Sequence, residues 1–112
     1  MTERIYTFDE IQRIVTPIAQ RHRVTKMYLF GSYARGNADH SSDIDLRVVA
    51  AHLTTLFALG SLYAELEEAL GKSLDLVTTE SLRANKQDPM TRRLIRNIKK
   101  DEGLLYEELP TS

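Results

Sequence analysis

Apolar residues recur along this chain in two rhythms. From Thr7 the rhythm is helical: Ile11, Ile14, Val15, Ile18 and Ala19 follow a Thr7/Glu10 capping box. Pro17 falls inside that run and is expected to kink the helix, or to restart it with Thr16 as the cap. Val24 to Phe30 then reads as a strand, and Ile44 to Val49 as a second, rich in β-branched residues. Between them Gly31 to Ser42 forms a polar, glycine-bearing connection. The longest helical pattern spans Leu53 to Leu70. Leu53, Leu56, Phe57, Tyr63, Leu66, Ala69 and Leu70 mark its expected buried stripe, and Gly71 its terminator. Leu74 to Thr78 reads as a short third strand. Asp88-Pro89 predicts the start of a last helix carrying Met90, Leu94, Ile95 and Ile98, which Gly103 ends. Leu104, Leu105 and Tyr106 are placed as a short edge strand or docking segment. The order predicts an α/β (α+β) domain: a small mixed sheet with helices packed mainly on one face.

Composition narrows the classes. The chain has 112 residues, of which 42% are apolar and 28% charged, an ordinary globular balance. A single domain over 1–112, with its core at about 8–106, is expected. Fifteen Lys plus Arg stand against 16 Asp plus Glu, a net charge of −1, which excludes a strongly basic nucleic-acid surface at the whole-chain level. Without cysteine there is no disulfide framework, thiolate zinc site or cysteine nucleophile. No apolar run approaches the ~18 residues of a membrane span, and Met1-Thr2-Glu3-Arg4 lacks a signal-peptide layout. A cytoplasmic protein is the expectation.

The chemistry concentrates in Leu29-Phe30-Gly31-Ser32-Tyr33-Ala34-Arg35-Gly36 and Ser41-Ser42-Asp43-Ile44-Asp45-Leu46. Asp43 and Asp45 are two apart at a strand start, so their carboxylates leave one face while Ile44 and Leu46 leave the other. Adjacent carboxylates repel, and a cation between them relieves the repulsion. A hard divalent ion suits them, with Mg²⁺ the usual choice beside substrate phosphates. Gly31 lets the backbone approach a ligand closely. Free N–H groups at a helix start favour phosphate, and the Ser32 hydroxyl adds a donor. One half would hold a triphosphate and the other the metal that bridges it. No Walker A string, dinucleotide fingerprint, His-Glu-x-x-His motif or Gly-x-Ser-x-Gly elbow accompanies them.

Gly31-Ser32, ten residues, then Asp43-Ile44-Asp45 resembles the signature of the DNA polymerase β-like nucleotidyltransferases. The fuller string resembles the minimal nucleotidyltransferase (MNT) branch, and the likeness extends over roughly residues 8 to 106. The resemblance implies the polymerase β-like fold and an Mg²⁺-dependent transfer of AMP from ATP. It implies a third carboxylate on a later strand, which Asp75 matches between Leu74 and Leu76. Asp43, Asp45 and Asp75 would then be the catalytic and metal-binding acids, and Gly31 and Ser32 would hold the phosphates. Small MNT proteins typically act as antitoxins that AMPylate a tyrosine of a HEPN ribonuclease toxin, so a HEPN partner is implied too.

Other residues keep two readings. Arg35 can contact phosphate or pair with a surface acid. Ser42 can join the nucleotide site or serve as a turn residue. Arg47 projects from the carboxylate face and can steady a carboxylate, meet the acceptor or form a structural ion pair. His22, His40 and His52 are scattered and read as surface residues. From Arg83 to Lys100 there are seven basic residues and one acid, either a solvated helix face or a docking surface. With no length for a separate acceptor domain, the acceptor is expected from a partner or from a second copy in a homodimer. Two alternatives stay open: an antitoxin that neutralises by contact alone, and a small-molecule transferase of the aminoglycoside-modifying kind. Nucleic acid and membrane are not expected partners.

Overall fold

The computed structural model describes residues 4–109, so Met1 to Glu3, which enter the reading of the N-terminus, lie outside the described residues. Their order is α1 (Phe8–Arg21), β1 (Lys26–Phe30), α2 (Gly31–Arg35), β2 (Ile44–Val49), α3 (Leu56–Leu70), β3 (Leu74–Thr78), α4 (Thr79–Ala84), α5 (Pro89–Asp101) and β4 (Gly103–Glu107). The strands form one mixed sheet in the order β3-β2-β1-β4. β1 lies antiparallel to both β2 and β4, and β2 pairs parallel with β3. That parallel pair is why the long helix α3 must intervene: parallel neighbours need a crossover.

β2 shows how pattern becomes layer. Ile44, Leu46 and Val48 are fully buried, whereas Asp45, Arg47 and Val49 between them are half-buried on the opposite face. The buried set meets Met27 and Leu29 of β1, Leu105 of β4, Ile11 and Val15 of α1, and Leu62, Leu66 and Leu70 of α3. The two helices that build this core thus share one face, as expected. The other face carries the acids and is bordered by α4 and α5, whose ends Arg47 reaches through Thr79 and Glu102.

Several local expectations change. Pro17 does not restart α1; it lies inside one helix that runs from its Thr7/Glu10 capping box to Arg21. Pro17 is exposed, so the carbonyl it leaves without a helical donor stays near water. The buried stripe of α3 is Leu62, Leu66 and Leu70; Leu56, Phe57 and Ala69 are exposed. Leu56 and Phe57 occupy the first turn after the Thr55 cap, while the buried stripe starts further along the helix. Met90 is likewise exposed at the start of α5. The Gly31–Ser42 connection opens with α2, and α4 follows β3 directly, capped by Thr78. Gly103 begins the fourth strand while Glu102 caps α5. No helix among the described residues is long and apolar enough to cross a membrane.

Candidate active site

The site forms where β1 ends, β2 begins and β3 lies alongside. Phe30 pairs with Asp45 across the antiparallel ladder, so the turn into α2 starts directly beside that carboxylate. Gly31 adopts a left-handed φ of 74° there, and a β-carbon at this position would sit 2.1 Å from Asp45 Oδ2. No other residue type fits without moving the acid. On the other side of β2, Asp75 is the register partner of Asp45, which puts the two carboxyls on one face of adjacent strands. Asp43 lies just outside β2 and is exposed, as is Asp75; Asp45 is half-buried between them.

Electrostatics follow from that crowding. Burial, a hydrogen bond to Asp75 and the charges of Asp75 and Asp43 push the Asp45 carboxyl up to about 7, against a smaller opposing pull from Arg35. A protonated Asp45 donating to Asp75 is how two carboxyls share so small a space. A cation there would replace the shared proton. The donor set is hard carboxylate oxygen on one open face, which fits Mg²⁺ completed by water and phosphate oxygens. Among the described residues no three acidic, imidazole or thiolate groups converge on one point, so these residues do not by themselves enclose an ion. A cleft of about 210 Å³ opens over Asp45 and Asp75, walled by Phe30, Leu76, Val77 and Leu94.

A polymerase β nucleotidyltransferase domain matches residues 12–109 of this sequence, nearly its whole length. The chain belongs to the polymerase β nucleotidyltransferase family, in its MNT branch. A relative from Thermococcus cleftensis, the protein adenylyltransferase MntA, is 32% identical over 93 residues, covering 80% of this chain and 94% of its own. The crystal structure of a toxin–antitoxin with AMP-PNP superimposes with a TM-score of 0.65 at 26% identity, over 87% of this chain and 73% of that one. A solved Shewanella oneidensis complex, tri-AMPylated HEPN toxin with MNT antitoxin, shares the fold at a TM-score of 0.63 and 22% identity, over 91% of this chain and 74% of that one.

Within this nucleotidyltransferase, the structure brings Gly31, Asp43, Asp45 and Asp75 together at one end of the sheet. Ser32 follows in the first turn of α2, half-buried, and its hydroxyl has no hydrogen-bond partner among the described residues. Arg35 ends the same helix and pairs with Asp101 of α5 at 3.1 Å. Ser42 takes the turn geometry: its hydroxyl accepts from the Asp39 N–H at 2.9 Å, and its own N–H donates to the Asp39 carbonyl. Asp39, held below the usual carboxylate range by hydrogen bonds from Ser41, organises that turn. Arg47 takes the ion-pair geometry. It forms a two-pronged pair with Glu102, donates to Thr79 at 2.7 Å and stacks on Tyr28.

Sequence reasoning overlooks Lys72. Only 3% exposed, it donates from Nζ to the His40 carbonyl at 3.1 Å and so ties the connection carrying Asp43 to the approach of β3. Nothing in its surroundings, Gly71-Lys72-Ser73, marks it in the hydrophobic pattern. Tyr63, expected in the core stripe of α3, directs its hydroxyl to the Leu74 carbonyl beside Asp75, and burial together with nearby acids raises its pKa.

Proposed function

We propose that this chain transfers AMP from ATP to a tyrosine hydroxyl of a HEPN-type toxin and acts as its antitoxin. The observation that carries the reading is the placement of Asp45 and Asp75 side by side against Gly31, a proton-sharing acid pair beside a phosphate-type turn. The likeness to an adenylyltransferase over most of both chains supports the reaction, and the toxin–antitoxin neighbours support the partner. ATP is the nucleotide substrate and Mg²⁺ the metal, with Asp43, Asp45 and Asp75 as its holders. When bound, Mg²⁺ would neutralise charge on the triphosphate and favour displacement at phosphorus.

The chain's own residues do the rest. The N–H groups at Gly31 and Ser32, with the free Ser32 hydroxyl, receive phosphate oxygens. Asp43 and Asp45, as holders of the cation, would set where the triphosphate lies relative to Asp75. A carboxylate oxygen of Asp75 accepts the proton of the tyrosine hydroxyl as that oxygen attacks. A new oxygen–phosphorus bond forms, the α–β bridge breaks, and pyrophosphate leaves. Positioning and charge stabilisation supply the acceleration.

Titration calorimetry with Mg-ATP should give binding in the wild type that Asp43→Asn/Asp45→Asn abolishes; equal affinities would sink the site. Asp75→Asn should keep most nucleotide affinity and lose ~10²–10⁴ in transfer rate. Mass spectrometry of the chain co-expressed with its cognate HEPN protein should show AMP on a partner tyrosine. A partner neutralised without AMP would make this a contact-only antitoxin instead.

A further inference from the structure

We infer that the groove beside β3 is the docking site for the acceptor protein, and that it takes an apolar segment of a partner whose flanking surface is acidic. This rests on the AMP-transfer reading and names the surface that delivers the acceptor. The groove holds about 470 Å³ and is lined by Leu59, Leu76, Val77, Leu82 and Leu94, contributed by α3, β3, α4 and α5. Leu56, which also lines it, and the neighbouring Phe57 are 88% and 87% exposed; Met90, beside Thr91 on another wall, is 79% exposed. Large apolar side chains this bare and this close together mark an interaction surface.

Two observations choose the occupant. The first is continuity. Leu76, Val77 and Leu94 wall both this groove and the cleft over Asp45 and Asp75. A segment seated in the groove therefore ends at the acids, where an acceptor hydroxyl must arrive. The second is charge. Arg83, Lys86, Arg92, Arg93, Arg96, Lys99 and Lys100 lie on α4, on α5 and in the turn between them. None of the seven forms an ion pair among the described residues, although Arg35 and Arg47, which reach α5, both do. Three of them, Arg83, Lys86 and Lys99, line a separate pocket with Arg47 and Glu102, and none lines the groove, so the two helices that wall it carry their unmatched cations beyond its rim. Acidic protein surface flanking the docked segment matches those cations, and apolar side chains match the groove itself.

The test is Leu56→Asp/Phe57→Asp in the full chain, assayed with ATP and the cognate HEPN protein. Both positions are exposed in the first turn of α3, where acidic residues suit the helix, so the variant should melt as the wild type does. Mg-ATP affinity by calorimetry should be unchanged, while KM for the HEPN protein should rise at least about tenfold. Arg92→Glu/Arg96→Glu should raise the same KM and flatten its salt dependence. An unchanged KM in both variants overturns the proposal. So does a wild-type homodimer that Phe57→Asp splits, or RNA binding lost in the same variants, since either assigns the groove another occupant. A wild type that binds no ATP would sink the transferase reading instead. The groove is then judged by HEPN affinity without nucleotide, and equal affinities for wild type and Leu56→Asp/Phe57→Asp overturn it.

Discussion

Gly31→Ala is the sharpest test of the site's geometry, with Gly60→Ala as its opposite. At Gly31 an alanine meets two penalties. A left-handed backbone with a β-carbon costs ~1–2 kcal/mol. The same β-carbon would lie 2.1 Å from Asp45 Oδ2, so the carboxylate or the strand must move, at a typical overpacking cost of ~1–3 kcal/mol. The expected loss is about 3 kcal/mol, or roughly 12 °C in Tm for a domain of this size. Gly60 is exposed inside α3 with nothing within 4 Å of an added β-carbon. Alanine there should stabilise by ~1 kcal/mol, because glycine is the weaker helix former. Thermal melts read the two signs, and calorimetry with Mg-ATP should show affinity lost only at Gly31. A double-mutant cycle divides the Gly31 penalty. In an Asp45→Ala background the clash with Oδ2 is gone and only the backbone cost remains, so about half the destabilisation should vanish. A Gly31→Ala protein that melts within a degree of wild type and keeps its ATP affinity would refute the contact. A cycle with no coupling would refute its assignment to Asp45.

Asp45 also makes stability depend on pH. It keeps its proton to about 7 in the fold but releases it near 3.8 when unfolded, so the ligand-free protein should lose stability as pH rises through that window. At about 1.4 kcal/mol per pH unit the bound is ~4 kcal/mol, and partial solvent access should bring it to about 2. Asp45→Asn should therefore gain on wild type between pH 5 and pH 8.5; denaturant melts showing no gain would count against the crowded pair. Arg47→Ala should cost about 2 kcal/mol, because it leaves Glu102 partly buried and unpaired. Arg47→Lys should recover little, lacking the fork that holds both Glu102 oxygens; a full rescue in the same melts would oppose that account.

How much of this was legible depends on whether the deciding contact is local. Thr7 and Glu10 cap α1 as written because both partners lie within one turn. The strand β2 is equally plain, since strict alternation from Ile44 to Val48 admits one burial pattern. Asp43 and Asp45 could be read from spacing, and Asp75 by matching a motif, but the register that sets Asp45 opposite Asp75 could not. Register depends on how β3 docks after the α3 crossover, some thirty residues away in sequence. The same holds for Arg47, whose partner Glu102 is 55 residues distant, and for Lys72, which reaches 32 residues back to His40. Leu56 and Phe57 misled for the converse reason. Helical spacing gives the face a residue occupies, but says nothing of where the helix overhangs its sheet.

β2 joins stability to function through parity. Its even positions, Ile44, Leu46 and Val48, are sealed in the core, so its odd positions must face the other side of the sheet. Asp45 there meets Asp75 and Gly31; Arg47, one step on, holds Glu102 at the end of α5 and Thr79 at the start of α4. Those two helices supply Leu82 and Leu94, the walls of the groove and, in Leu94, of the cleft. A slip of one residue would bury Asp45 and Arg47 and expose three fully buried side chains, so the core itself forbids the acids from leaving their place. The unfavourable crowding of Asp45 can therefore be tolerated: the strand that carries it is fixed by apolar contacts on its far side. Its neighbour Arg47 fixes the walls through which an acceptor would have to come.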